Sequence, residues 1–202
     1  MPLSMFRALL TQTFALALLT IAQPGLAQDS KSGYRLGDRL PSTATPAKAA
    51  PTYREIDWDA LLPRDWDPAA ALKGLDLANL RDGDPRAIEA MARMQEMFDN
   101  APLNTALDNT RVRIPGFIVP LESRGKLIHE FLLVPYFGAC IHTPPPPANQ
   151  IIHVFPAKPL SNLVAMDPVW VSGAIETGRS KTSMGSAGYR LNADVVVPYK
   201  KR

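Results

Sequence analysis

Four consecutive prolines, Pro144, Pro145, Pro146 and Pro147, stand between two runs of β-forming residues. Phe131, Leu132, Leu133 and Val134 lead in, and Ile151, Ile152 and Val154 lead out. Proline lacks the backbone N–H and holds φ near one value, so the segment can be neither helix interior nor ladder strand. What remains is two strands joined by a stiff polyproline connector. The only cysteine, Cys140, and one of three histidines, His142, lie at its near end, while His153 lies on the strand that follows.

The destination of the chain is read from its start. In the first 27 residues Arg7 is the only charged side chain, and an apolar run from Phe14 to Ala22 follows it. Small residues at Gly25 and Ala27 then suit a cut before Gln28, the pattern of a secretory signal peptide. The apolar run falls short of the roughly 20 residues that a transmembrane helix needs. The expected mature protein is periplasmic, with no membrane span and 175 residues, enough for one domain and a tail. It carries 21 basic and 19 acidic residues, too small a surplus for a dedicated nucleic-acid binder.

One cysteine cannot form an intramolecular disulfide. In an oxidising compartment such a thiol is buried and inert, metal-bound, chemically reactive or paired with another molecule.

Residues 28–52 are polar and rich in Pro, Ser, Ala and Thr, which predicts a disordered linker. Residues 53–108 read as a helical extension. Within it Trp58 and Trp66 are expected to dock on the main domain. Asp84 and Pro85 open a helix as N-cap and first helical residue, and Asn100 and Pro102 mark its end. Ile88, Met91, Met94 and Phe98 supply its apolar stripe, and Met91, Met94 and Met97 are read as packing residues rather than copper ligands.

Residues 109–202 change to a strand pattern. Five strands are expected: 111–122 with a bulge or bend at Pro115-Gly116, 127–135, 150–155, 168–177 with a bend at Gly173, and 189–198. Residues 180–188 read as a small-residue loop. The fold expected is mainly β, a small five-stranded OB-like barrel, with a sandwich as the alternative.

The chemistry concentrates around Cys140. In extended backbone, residues i and i+2 point to the same side, so the Cys140 sulfur and His142 imidazole would converge. His153 would return to the same end of the sheet as a third ligand. Such a soft, nitrogen-rich set suits zinc first and copper second. His129, Glu130, Asp167 or water would complete it. No CxxC pair or HExxH is present. Two other readings stand beside this one. Cys140 could pack as a small hydrophobe, or His142 could activate it as the nucleophile of a thiol enzyme or redox protein.

The connector also has two readings. It is a rigid spacer across the mouth of the barrel, or its prolines with Asn149 and Gln150 present a surface for a partner protein. The tight flanking by strands favours the spacer. In that case Asn149 and Gln150 would satisfy backbone groups that the prolines leave unpaired.

Phe131 to Gln150, with its Cys-x-His-x-Pro-Pro-Pro-Pro-x-Asn-Gln run, resembles an uncharacterised bacterial family of exported proteins and lipoproteins classed as a domain of unknown function. Gly116-Phe117, Val169 to Gly173 and Ala187-Gly188-Tyr189 carry the same resemblance. Some members are encoded beside ABC-transporter components in zinc-responsive gene clusters. The resemblance thus implies a periplasmic accessory role in metal homeostasis, binding or sensing a transition metal, with an ABC-transporter component as the implied partner. Many members of that family carry a lipid-attachment cysteine, which this sequence lacks.

Overall fold

The computed structural model describes residues 33–40, 53–67, 84–143 and 145–200. The expected signal peptide, Pro144 and most of the expected linker lie outside the described residues. The strands are β1 (Arg54–Glu55), β2 (Thr110–Arg124), β3 (Leu127–Val134), β4 (Ile152–Pro156), β5 (Pro168–Thr182) and β6 (Gly185–Pro198), with one α-helix among the described residues, α1 (Pro85–Asp99).

The protein is mainly β, and its strands form one sheet in the order β1-β2-β3-β4-β6-β5. β5 also pairs with β2, so five strands close a ring of hydrogen bonds. β1 lies parallel to β2, outside the ring, and β4 runs parallel to β6; the other pairings are antiparallel.

Alternation along the strands divides the core in two. On one face Val112, Ile114, Ile118, Phe131, Leu133, Ile152, Val154, Tyr189 and Leu191 pack together. On the other face Phe117, Val119, Leu132, Val134 and Ile151 form a second cluster. Burial on both faces explains why β2 and β3 carry nearly continuous apolar runs. Gly116 lies where the chains approach most closely: a Cβ there would stand 2.7 Å from Leu133 Cγ. This close approach replaces the bulge expected at Pro115-Gly116, because pairing with β5 continues unbroken from Ile114 to Phe117. The β2 register shifts lie later, around Glu122.

Residues 33–40 correct the expectation of a disordered linker over 28–52. Tyr34 and Leu40 are buried in the second cluster. Tyr34 meets Phe117 edge-on at 5.3 Å, and the Gly37 N–H donates to the Phe137 carbonyl. Two apolar anchors in a polar stretch suffice because the sheet supplies the rest of the buried area.

The tryptophan docking holds for Trp58, which is buried and donates from Nε1 to the Pro115 carbonyl at 2.7 Å; Trp66 is only half-buried. α1 begins as read, with the Asp84 side chain accepting from the Arg86 N–H. Its packing face differs, since Ala90 is buried whereas Ile88 and Met91 are exposed. Its end is held by Arg179, which donates to the carbonyls of Asp99, Asn100 and Ala101. A guanidinium there satisfies carbonyls that the last turn leaves unpaired and complements the helix dipole. The loop expected at 180–188 is instead a hairpin, with β5 running on to Thr182 and β6 starting at Gly185.

Candidate functional site

The connector is fastened to the fold at both ends. Before it, the Gly138 carbonyl accepts from the N–H groups of Ile141, His142 and Thr143, and from Thr143 Oγ1. This winds residues 138–143 into a tight turn. Gly138 has φ +90, and its N–H donates to Met166 Sδ at 3.1 Å. After it, Ala148–Gln150 form a 3-10 turn opened by the Pro147 carbonyl, which accepts from the Gln150 N–H. Between the two, Pro146 is buried and Pro145 lies against Gly185 of the hairpin.

Cys140 sits in this turn at φ 62, in the left-handed region. The extended backbone expected between Cys140 and His142 is therefore absent, and alternation does not decide where these side chains point. Cys140 is half-buried against the second cluster, whereas His142 is exposed. Burial pushes the Cys140 thiol up to about 12. It is protonated at neutral pH, since loss of solvent around the sulfur disfavours the charged form.

His153 has partners of its own. Its Nδ1 lies 3.0 Å from Ser180 Oγ and its Nε2 lies 3.3 Å from Glu130 Oε2. Burial lowers its pKa, the neighbouring Glu130 carboxylate raises it in part, and Arg190 lowers it further. The other expected ligands divide in the same way. Glu130 is taken by His153, Asp167 Oδ2 accepts from the Val164 N–H, and His129 is half-buried on β3. Among the described residues no group of three or more His, Cys, Asp or Glu side chains is placed to hold a metal ion.

Asn149 and Gln150 are buried and bond to their own chain, so neither offers a partner surface. Gln150 Nε2 donates to the Trp58 carbonyl at 2.8 Å and to the Asn149 carbonyl at 3.2 Å. Asn149 Nδ2 donates to the Pro102 carbonyl at 3.0 Å. They thus satisfy carbonyls of the N-terminal extension and of their own turn, rather than groups freed by the prolines.

The profile of the protein of unknown function family DUF3299 matches residues 58–198. The chain belongs to the DUF3299 family. A crystal structure of a DUF3299 family protein from Pseudomonas aeruginosa PAO1 is similar, with 38% identity, 75% of this chain and 99% of that chain covered, and a TM-score of 0.59. A small single-stranded DNA-binding protein from Streptomyces coelicolor aligns at 11% identity over 46% of this chain and 95% of that chain, with a TM-score of 0.30. No curated protein matches. The match to DUF3299 spans both the extension from Trp58 and the ring of strands. Among the described residues no helix is long and apolar enough to cross a membrane.

Ser180 is the residue that sequence reasoning left out. It lies in the stretch read as a loop, and its contact with His153 requires the strand order β4-β6-β5. The signal within reach was the Gly178-Arg179-Ser180 sequence, a glycine inside a strand pattern that marks a bulge.

Proposed function

We propose that this DUF3299 protein is a periplasmic accessory protein that binds a transition metal, zinc first and copper second, at the turn carrying Cys140 and His142. The observation that carries the proposal is the backbone of Cys140. A β-carbon in the left-handed region is strained by about 1 kcal/mol or more, and such strain gathers at functional sites. Four hydrogen bonds to one carbonyl hold the turn in that shape.

Two ligands leave coordination positions for water and for groups from outside the chain, an open site of the kind suited to handing a metal on. An ABC-transporter component is the partner class, on the strength of the family resemblance. The high thiol pKa adds a condition. At pH 7 an incoming metal must displace the thiol proton, so uptake releases a proton and weakens in acid. His153 has no part in this set, since both of its nitrogens are engaged.

The thiol-enzyme alternative is less well supported, because a thiol raised to about 12 is a poor source of thiolate. We read the ring of strands as a small OB-like barrel. Its five members pair in the order first, second, third, fifth, fourth and back to the first, with the third and fifth parallel, which supports that type.

Metal analysis of untagged protein isolated from its own periplasm tests the proposal. About one zinc or copper per chain is expected; protein isolated with neither metal speaks against it.

A further inference from the structure

The contacts of His153 define a second arrangement, independent of Cys140. Glu130 Oε2, as carboxylate, can only accept a hydrogen bond, so His153 Nε2 carries the proton that faces it. Nδ1 is then the lone-pair nitrogen and accepts from the Ser180 hydroxyl at 3.0 Å. A hydroxyl donating to an imidazole, whose other nitrogen donates to a carboxylate, is the relation of nucleophile, base and orienting acid, recognised by role rather than by sequence order.

Three features hold it. The His153 side chain is 11% exposed, and its ring lies 4.2 Å from that of Phe155. The Arg190 guanidinium covers the far ring, 4.6 Å from the Phe155 centroid. On β5 the register against β6 shifts between Thr177 and Ser180, an irregularity of the kind that re-aims a side chain beside an active site. Arg179, in this irregular stretch, reaches the end of α1, and Ser180 next to it reaches His153.

We propose that Ser180 is an acyl-accepting nucleophile, with His153 as its base and Glu130 as a positioning residue, acting on carboxylic esters. Ser180 Oγ bonds to the carbonyl carbon as its proton passes to His153 Nδ1. The ester C–O bond then breaks, and the departing alcohol takes that proton. Water repeats the sequence on the acyl-serine, giving the carboxylic acid and restoring the Ser180 hydroxyl. No oxidant or metal enters the balance.

The test uses the mature protein, a fluorophosphonate probe with peptide mapping, and p-nitrophenyl acetate turnover. An adduct on Ser180 is expected, absent in Ser180→Ala and slowed about a hundredfold in His153→Gln, the usual loss on removing a general base. Labelling is expected to hold from pH 8 to below 6.5 and to fall only in stronger acid, because burial and Arg190 outweigh Glu130 in setting the His153 pKa. Glu130→Gln changes a half-exposed side chain and avoids the folding risk of the buried histidine. Because Glu130 raises the His153 pKa, that variant is expected to move the acid limb to lower pH. No Ser180 adduct in folded wild type, or equal labelling in His153→Gln, overturns the proposal. An unmoved limb in Glu130→Gln overturns the role of Glu130.

Discussion

The Gln150 side-chain amide donates to the Trp58 backbone carbonyl across 92 residues of sequence, at 2.8 Å and buried. Trp58 in turn donates from its indole to the Pro115 carbonyl on β2. The end of the polyproline connector, the N-terminal extension and the ring of strands are thus linked through two side chains. Replacing Gln150 by Leu leaves the Trp58 carbonyl only the longer bond from the Leu61 N–H at 3.3 Å, and a loss of about 0.5–1.5 kcal/mol is expected. Urea unfolding followed by tryptophan fluorescence measures it; an unchanged midpoint would mean that the extension is held by other contacts.

Tyr189 extends the same attachment. Its hydroxyl donates to the Leu61 carbonyl at 2.6 Å and accepts from the Asn104 N–H at 2.7 Å, while its ring is fully buried. Tyr189→Phe keeps the ring and removes both bonds, so a loss of about 1–3 kcal/mol is expected with packing intact. Thermal unfolding with the same near-UV circular dichroism as wild type would separate this from general disruption.

Cys140 offers a test of strain. Cys140→Gly places in the left-handed region the residue that tolerates it best, whereas Cys140→Ala keeps a β-carbon there. The glycine variant is expected to be the more stable of the two, by about 0.5–1 kcal/mol. Denaturant unfolding of the pair checks the order, and the reverse order would mean that the turn does not strain its β-carbon.

His153 makes stability depend on pH. Its folded pKa lies below the unfolded value of about 6.5, so between the two the unfolded chain binds the proton more readily. The stabilisation is therefore present above pH 6.5 and lost as pH falls through the folded pKa. In His153→Gln the stability difference between pH 7.5 and pH 5 is expected to shrink, read by urea unfolding at each pH. A difference as large as in wild type would place the acid sensitivity elsewhere.

The legible parts of the fold were those written in local chemistry. Asp84 and Pro85 announced the helix, and the apolar runs at 131–134 and 151–154 announced β3 and the core of β4, because capping, proline geometry and alternation act over a few residues. Residues 33–40 were missed because Tyr34 and Leu40 are too sparse to stand out, yet gain their burial from strands far along the chain. The geometry around Cys140 and His142 was not legible. Cysteine carries no preference for the left-handed region, so its φ of 62 had no local signature. His153 looked like a third ligand until the strand order set it between Ser180 and Glu130.

Calorimetric titration of zinc into the metal-free protein at pH 7 tests the metal-binding claim most directly, run beside a Cys140→Ala, His142→Ala double variant. One zinc bound per wild-type chain with release of a proton, and loss of that binding in the double variant, is the predicted result. Equal uptake by the two proteins, or no uptake by the wild type, would contradict it.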